Sequence, residues 1–508
     1  MIRLLAAAAC AVLVSLPALA QSPSSADKQR DPLVAARNAG PTVYDPVVPQ
    51  TSRPLLGVAR AGLGVRKTLS GAINPRGKGQ FTPAPPPGKR PADALLGQAR
   101  AVAGRDPVPG PIVSFEGMDA AEGCGGCQPP DPVLAVGPNH VVEMVNVAFS
   151  IYLKDGTRVV GPSQINALWA GQTGACATQN TGDPIAVFDE MADRWLLSQF
   201  FSNGICVAVS QTNDPTGTYN LYQFHLPQFP DYCKIGVWPS AYFVGSNEST
   251  YAAYAFDRVR MLAGDPAGVV RFADVSPNFV LPADVDGAAA PADGSPGLYY
   301  TFLDSDFHGG ASDRLALYAF DLDWADAGAA TFAEIGAVPV TPFNFTVCGF
   351  FDFFCIPQGG TSQRVDAVSE WPMQRFVYRD FGSHKALAGT FTVGATGAGL
   401  AGLRWFELRE AAGGWALHQE GTYAPNDGLH RWMGSLAFDD AGTLASGYSA
   451  SSPTERPSLR DTYRTQGDPL GTMLDEAVLV QGNGSQSGGD RWGDYSALAV
   501  DPADGSTF

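Results

Sequence analysis

The chain has 508 residues, with 33 lysines and arginines against 50 aspartates and glutamates and a formal net charge of −17. The charge is unevenly placed. Arg3 and segment 21–110, with 13 basic and 5 acidic residues, leave 19 basic and 45 acidic residues for 111–508. A body at about −26 repels nucleic acid and anionic membranes, so we expect neither as a partner. Beyond the N-terminus no stretch reaches the roughly 18 continuous apolar residues of a membrane helix.

The N-terminus predicts export. Residues 1–20 carry the basic start Met1-Ile-Arg, an apolar core over Leu4–Leu16 and the small-x-small site Ala18-Leu-Ala, which together are typical of a secretory signal peptide. Cys10 has too little apolar sequence before it for a lipoprotein anchor. We therefore expect a secreted protein, extracellular or in the cell envelope, whose mature chain begins near Gln21.

Residues 21–110 are rich in Pro, Ala, Gly and Arg, as in Pro85–Pro91. A segment at about +8 with little apolar surface to bury predicts a flexible leader. The alternative is an arm that binds polyanions.

The body, 111–508, is predicted to be all-β because its apolar periodicity is mostly two. A strand-like apolar run followed by a turn returns about every 50 to 70 residues, which is typical of a β-propeller. Allowing two repeats in one long gap, we predict about seven four-stranded blades in one domain. The repeats are Pro130–Asn139, Gly182–Met191, Asp231–Ser240, Gly297–Asp306, Gln363–Pro372, Arg431–Ala441 and Arg491–Ala503.

The chain ends at Phe508, just after the hairpin signal Asp504-Gly505. A four-stranded blade would need further strands there. We expect a propeller truncated at its C-terminal end; the alternative is that residues 111–120 close the ring.

Seven cysteines follow the signal peptide of an exported chain, where disulfides form readily. Cys124 and Cys127 form a CxxC motif, for which we expect a structural role. The alternatives are a redox-active dithiol or half of a zinc site. Cys233 either pairs with this group or stays free. Two pairs flank a hairpin and a short loop and are predicted disulfides: Cys176 with Cys206, and Cys348 with Cys355.

Candidate binding residues stand at the starts of the repeats, which should converge at the mouth of the central channel. Arginine forks bind carboxylates and aromatic rings stack on sugars, so this set suits a sugar acid. An Asp at a strand start also satisfies backbone groups without any ligand. The candidates are Asp131, Asp183, Asp231, Arg431, Arg491 and Asp494, with Trp432, Trp492 and Tyr495 beside them.

Four segments, Gly182–Phe200, Cys206–His225, His430–Ser449 and Arg491–Phe508, resemble a family of large secreted bacterial β-propellers, distantly sialidase-like and without an assigned activity. The resemblance covers about 115–508 and brings no catalytic residues with it. Sialidases hold a carboxylate with three arginines and use a tyrosine nucleophile with a carboxylate partner. By this resemblance the candidates are Arg379, Arg431 and Arg491, and Tyr448 or Tyr495 with Asp494 or Asp427. The Asp-box motif of that superfamily is matched only in part, at Asp439–Ala445 and Asp504–Phe508.

Two further chemistries have thinner support. His430 lies in the motif-like stretch Asp427–Trp432 and could act as the general base of a polysaccharide lyase. The acidic loops Asp304–Asp313 and Asp284–Ala288 carry oxygen ligands suited to calcium but lack the spacing of a calcium-binding loop. No other metal or cofactor is predicted.

We expect a monomeric extracellular propeller that binds an anionic glycan or surface polymer at the channel mouth. The alternative is a sialidase-like glycosidase or polysaccharide lyase acting at the same face. Convergence of Arg379, Arg431 and Arg491 in one pocket with a tyrosine and a carboxylate would favour the enzyme.

Overall fold

A computed structural model describes residues 40–57, 92–96, 110–347, 354–397 and 399–508. Two strands from the N-terminal segment, β1 (Thr42–Val47) and β2 (Gln50–Thr51), precede six successive antiparallel units of four strands each. Unit 1 comprises β3 (Pro132–Val136), β4 (His140–Val145), β5 (Ala148–Leu153) and β6 (Arg158–Gln164). Unit 2 comprises β7 (Ile185–Asp189), β8 (Arg194–Phe201), β9 (Gly204–Ser210) and β10 (Tyr219–His225). Unit 3 comprises β11 (Asp231–Val237), β12 (Tyr242–Asn247), β13 (Tyr251–Phe256) and β14 (Ala267–Ala273).

The later units follow the same plan. Unit 4 comprises β15 (Leu281–Val285), β16 (Gly297–Leu303), β17 (Arg314–Asp321) and β18 (Thr331–Pro339). Unit 5 comprises β19 (Met373–Asp380), β20 (Lys385–Gly394), β21 (Ala401–Ala411) and β22 (Gly414–Tyr423). Unit 6 comprises β23 (His430–Phe438), β24 (Leu444–Ser451), β25 (Ser458–Arg464) and β26 (Ala477–Val480). Short helices are α1 (Ala120–Gly123), α2 (Ala175–Thr178), α3 (Arg258–Ala263) and α4 (Ser305–His308), with 3₁₀ turns at Leu55–Gly57, Ile165–Trp169 and Trp324–Ala329.

The architecture is all-β and propeller-like. Units 1, 2, 3 and 6 form separate sheets, whereas units 4 and 5 join into one eight-stranded sheet because β15 and β19 pair in parallel, with Ala283 opposite Phe376. The first strands of units 1 to 5 each contact the first strand of the following unit, so the first strands surround an axial channel. The first strands all begin at one face of the ring, which we call the upper face. The opposite face is the lower face.

The count of seven blades is not confirmed. The repeat expected to start a blade at Gly297 is instead β16, the second strand of unit 4, and the first strand is Leu281–Val285. The second strand, GLYYTFL, is strongly apolar and aromatic, whereas the first strand, LPADV, contains a proline and an aspartate. Apolar character therefore selected the second strand of this unit instead of the first.

Residues 491–508, where a seventh repeat was expected, contain no strand. They lie between units 6 and 1. The Ser496 hydroxyl donates to the Met433 carbonyl of unit 6 at 2.6 Å, and Lys154 of unit 1 pairs with Asp501 at 2.5 Å. The last repeat therefore occupies the seventh position of the ring without forming a sheet there.

Alternating side chains explain why neighbouring units pack. In β8, Trp195 and Leu197 join the apolar cluster shared with unit 1, whereas Leu196 and Phe200 join the cluster shared with unit 3. A strand with both faces buried must be apolar on both, which gives the continuous apolar run seen in the sequence. The core is thus a set of layers between units.

The N-terminal segment 21–110 was expected to be unpacked, and the structure corrects this for two stretches. Strand β1 adds to the outer edge of unit 3 by pairing with β14, and β2 adds to unit 2 by pairing with β10. Leu55 is 1% exposed within the cluster between units 1 and 2. Asp93 is buried and accepts from Arg404 of unit 5 at 2.6 Å. Composition describes the segment as a whole, and only a few of its residues make these contacts. It therefore did not predict them.

The cysteine predictions are partly confirmed. Cys176 and Cys206 form a disulfide, with Cα atoms 5.7 Å apart. The CxxC cysteines, Cys124 and Cys127, are bonded to each other. Cys355 is also disulfide-bonded, but its predicted partner Cys348 lies outside the described residues. Cys233 is buried and has no disulfide partner in the described part of the chain.

None of the helices that the structure describes is long and apolar enough to cross a membrane.

Candidate functional site

The axial channel is closed near the upper face by a buried lysine. Lys234 of β11 is 0% exposed, and its Nζ lies 3.6 Å from the ring centroids of both Tyr232 and Tyr495. Burial lowers the pKa of Lys234 to about 8, although nearby negative charges, among them Asp183 and Asp131, oppose the shift. We call Lys234 with these two rings the lysine hub.

Predicted site residues surround this hub. Asp131, Asp183 and Asp494 all act on Lys234 electrostatically, so the structure does bring these repeat starts together. Arg491 donates through Nε to Asp494 at 3.0 Å and pairs with it through a second nitrogen. Burial raises the pKa of Asp494. Since Asp131 and Asp494 are 1% and 5% exposed, these residues form an internal polar network, not the open funnel expected.

The repeat starts also share a backbone feature. Asp131, Asp183 and Asp494 have φ values of 48°, 46° and 70°, and Tyr232 and Val368 have similar values in their own units. Left-handed backbone is uncommon outside glycine, and Asp tolerates it better than most residues. The left-handed backbone at Asp131, Asp183 and Asp494 therefore accounts for part of the Asp preference at these three repeat starts.

Arg431 is used inside unit 6. It is 0% exposed and donates to Glu476 through Nε and Nη2, both at 2.8 Å, and to Asp427 at 2.6 Å. The Tyr448 hydroxyl donates to Glu476 at 2.7 Å. Burial, with Tyr423 and Glu476 nearby, raises the pKa of Tyr448 well above its ordinary value. A buried tyrosine held in its protonated form is a poor nucleophile.

The same trio of tyrosine, carboxylate and arginine recurs elsewhere. In units 2 and 3, the Tyr242 hydroxyl donates to Asp189 at 3.0 Å, and Arg258 donates to the same carboxylate at 2.6 Å. Unit 3 contains another, formed by Glu248, Tyr254 and Arg271. Because the same arrangement occurs in buried parts of other units, we interpret the trio in unit 6 as a hydrogen-bond network that stabilises the fold.

The three candidate arginines do not share a pocket. Arg491 lies beside the lysine hub and Arg431 lies within unit 6. Arg379, near the lower end of β19, donates to the Phe438 carbonyl at 2.5 Å and pairs with Asp440. The sequence placed them in consecutive repeats, but they occupy different positions along and across their units.

The remaining candidates are also engaged in the fold. Trp432 is 0% exposed, and the half-buried Trp492 lies 6.3 Å from it between ring centroids. Asp231 accepts from Asn247 at 3.1 Å. His430 accepts from the Ala401 amide at 3.2 Å. Burial, with Arg364 and Arg431 nearby, lowers the pKa of His430 to about 4, which makes it a weak general base.

An open depression on the upper face, of about 440 Å³, is lined by side chains that the sequence analysis did not select. Arg364 is exposed. One of its nitrogens donates to the Cys355 carbonyl at 2.7 Å, and it makes no ion pair with any described residue. The lining residues are Phe354, Thr361, Ser362, Gln363, Arg364, Ser487 and Asp490. Gln363 and Arg364 begin a predicted repeat, which was the one available signal.

A second, narrow cavity of about 30 Å³ lies inside the axial channel. Its walls are the first strands of units 1 and 2 and residues 496–500, with polar residues at the lower end. Burial raises the pKa of Glu190 to about 7, and the neighbouring Asp286 charge adds to the shift. The sequence analysis missed Glu190 because it reads as an ordinary turn residue after β7.

The two acidic loops differ. In Asp304–Asp313, the carboxylate of Asp304 caps α4, and that of Asp313 accepts from Ser305 and Phe343. Asp284 and Asp286 line the axial cavity and pair with Arg375. Within the described ranges no three or more His, Cys, Asp or Glu are grouped so as to hold a metal ion.

Comparison with known proteins assigns no family. No family model matches the chain, and no curated protein matches it. Similar solved structures include the subtype N10 neuraminidase-like protein of A/little yellow-shouldered bat/Guatemala, at 8% identity over 66% of this chain and 95% of that chain, with a TM-score of 0.33. Drosophila Plexin A in complex with Semaphorin 1b has 7% identity, coverage of 69% and 78%, and a TM-score of 0.33. A PL25 ulvan lyase has 11% identity, coverage of 68% and 85%, and a TM-score of 0.30.

Likeness at this level carries no argument about function. The class of protein, a β-propeller-like all-β chain, therefore rests on its own strand topology, and the resemblance to a secreted bacterial propeller family is not confirmed.

Proposed function

We propose that this chain is an extracellular β-propeller that binds an anionic glycan in the depression on its upper face. The observation that carries the proposal is Arg364, an exposed guanidinium anchored by the Cys355 carbonyl and left with free donors. Charge-assisted hydrogen bonds from such a fork suit a sugar carboxylate. Three disulfide-bonded segments fit an oxidising compartment.

The other lining side chains support a sugar as the ligand. Hydroxyls of Thr361, Ser362 and Ser487, the amide of Gln363 and the carboxylate of Asp490 offer donors and acceptors for sugar hydroxyls. Phe354 is 37% exposed and supplies an apolar ring. The body has a net charge of about −26, so its long-range field does not attract an anionic ligand. Selection for such a ligand would come from the short-range contact with the Arg364 guanidinium.

Binding is favoured over catalysis because the residues suited to chemistry are engaged elsewhere. Tyr448 and Asp427 hold Arg431 and Glu476 in unit 6. Asp494 and Tyr495 belong to the network around the lysine hub. A glycosidase or lyase would need a carboxylate, tyrosine or histidine with a tuned pKa facing the ligand.

The proposal is tested by isothermal titration of the protein with oligogalacturonate, using the neutral methyl-esterified oligosaccharide as the matched ligand. The Arg364→Ala variant should bind oligogalacturonate about 10- to 100-fold more weakly, since it loses one charge-assisted contact. The control is Arg260→Ala. Arg260 is an exposed arginine in α3, which follows the third strand of unit 3 and therefore lies towards the lower face.

Equal binding by the wild type and Arg364→Ala, or equal affinity for the charged and neutral oligosaccharides, would contradict the proposal. New reducing ends or unsaturated uronates in the same mixture would establish an enzyme instead.

A further inference from the structure

The chain contains two Asn-Gly pairs, Asn203-Gly204 and Asn483-Gly484, and they differ in their surroundings. Asn483 and Gly484 are both exposed and lie in irregular chain after β26. Neither the Asn483 side chain nor the Gly484 amide makes a hydrogen bond with any described residue. A Cβ atom added to Gly484 would meet nothing within 4 Å. The chain here is therefore open enough for these two residues to react with each other.

The other Asn-Gly pair is held by the sheet of unit 2. Asn203 lies in the tight turn between β8 and β9, and Gly204 is buried. Gly204 is paired with Phe201 and His225 in the sheet, and a Cβ atom on it would meet the Phe224 carbonyl oxygen at 2.0 Å. A backbone amide in such a setting reacts only after local opening of the sheet. The fold therefore protects one Asn-Gly pair and leaves the other free to react.

A cationic side chain contacts the exposed pair. Arg456 donates through Nη1 to the Asn483 carbonyl oxygen. This oxygen and the Gly484 nitrogen belong to one conjugated peptide unit, so loss of the amide proton places negative charge on the oxygen. A donor already directed at the atom where charge develops stabilises the charged form. The Arg456 guanidinium therefore makes the Gly484 nitrogen easier to deprotonate and a better nucleophile.

We propose that Asn483 is a site of spontaneous deamidation. The deprotonated Gly484 nitrogen attacks Cγ of Asn483, a bond forms between them, and the side-chain nitrogen takes up a proton and leaves as ammonia, which gives a cyclic succinimide. Water then opens the ring. Attack at the Cγ carbonyl gives aspartate, and attack at the main-chain carbonyl gives isoaspartate, whose main chain runs through Cβ and Cγ. Water is the only co-reactant, and no electrons are transferred to or from the protein.

The reaction would change the chain that leads into one wall of the upper-face depression. The Ser485 hydroxyl donates to the Gly359 carbonyl at 2.5 Å, and the Gln486 amide donates to Gln358 at 2.8 Å. The next residue, Ser487, lines the depression. Either product adds a negative charge to this stretch, and isoaspartate also lengthens its main chain by one atom. The inference does not depend on glycan binding, because the modification is measured on the protein alone.

The test is peptide mapping by mass spectrometry after incubation of the wild-type protein at mildly alkaline pH, with enzymatic methylation to identify isoaspartate. Deamidation should be about tenfold or more faster at Asn483 than at Asn203. Gly484→Val should slow it by about tenfold or more, since a branched side chain obstructs the attacking nitrogen. Arg456→Met should slow it by about twofold or more. In guanidinium chloride with the disulfides reduced, the two wild-type sites should react at rates within about twofold of each other.

Circular dichroism will show that the variants are folded, which is expected because Gly484 and Arg456 are exposed. Asn483→Gln keeps the amide but places it too far along the side chain for ready ring closure, and it should stay unmodified. Equal rates at Asn483 and Asn203 in the folded protein, or an unmodified Asn483 after Asn203 has reacted, would overturn the proposal. So would an unchanged rate in Gly484→Val. An unchanged rate in Arg456→Met would overturn the role given to its guanidinium.

Discussion

At the scale of single residues, the sequence identified the right chemical types but not their partners. Asp131, Asp183 and Asp494 do converge, as their places in the repeats predicted. Arg431 and Arg379 were selected by the same argument, yet they are neutralised within the fold by Glu476 and Asp440. Neither Glu476 nor Asp440 lies at the start of a repeat, so the repeat pattern did not predict that they pair with the arginines. Lys234 could have been found as the one basic residue of β11, with apolar residues on both sides of it.

Replacement of Arg431 tests the structural interpretation of the arginines. Arg431→Met removes the bidentate partner of the buried Glu476, which keeps Arg460 and Tyr448 as partners, and we expect a loss of about 1–3 kcal/mol in the free energy of unfolding. Urea denaturation measures this, with Arg260→Met, an exposed arginine, as the control. Oligogalacturonate binding by the folded fraction should not change. Full stability with lost binding would show instead that Arg431 holds the ligand.

The pH dependence of stability tests the environment of Glu190. Its pKa is about 7 in the folded protein, above the ordinary value of 4.5, because burial and Asp286 disfavour the charge while Arg375 and Arg379 only partly oppose this. The folded state therefore holds more protons than the unfolded state between about pH 4.5 and 7. The stability that Glu190 contributes is present below pH 4.5 and is lost as the pH rises through 7.

Urea denaturation of the wild type and Glu190→Gln across this pH range measures the effect. Relative to the variant, the wild type should lose stability as the pH rises, since glutamine does not titrate. Asp306→Asn serves as the control and should follow the wild type. Parallel curves for the wild type and Glu190→Gln would contradict a raised pKa at Glu190.

At the scale of elements, strand type and approximate location were predictable, but order within a unit was not. Gly297–Leu303 has the apolar character of a first strand, and only its pairing with both β15 and β17 shows that it is the second. The N-terminal strands were missed for another reason. Strand β1 has the exposed pattern of an edge strand, so its sequence carries little apolar signal.

Leu55 tests whether the N-terminal segment contributes to the fold. It is 1% exposed within the cluster between units 1 and 2, whereas its neighbour Leu56 is 69% exposed. Leu55→Ala should lower the free energy of unfolding by about 2–5 kcal/mol through lost packing, and Leu56→Ala by no more than about 0.5 kcal/mol. Chemical denaturation of both variants provides the comparison. Equal effects would mean that this segment does not pack as described.

At the scale of the whole molecule, periodicity predicted a ring of small sheets and overestimated the number of complete ones. Six units form sheets, and residues 491–508 occupy the seventh position through contacts such as that of Lys154 with Asp501. The candidate binding surface was the least predictable feature. The depression is assembled from two segments distant in sequence, 361–364 before unit 5 and 487–490 after unit 6, and no local sequence pattern shows that they meet.

The central claim, that the upper-face depression holds an anionic glycan, is tested most directly by a crystal structure of the protein soaked with oligogalacturonate. The account predicts a uronate carboxylate within hydrogen-bonding distance of the Arg364 guanidinium, with sugar hydroxyls near Asp490 and Gln363. Sugar density confined to another surface, with the Arg364 depression open and unoccupied at saturating ligand, would contradict it.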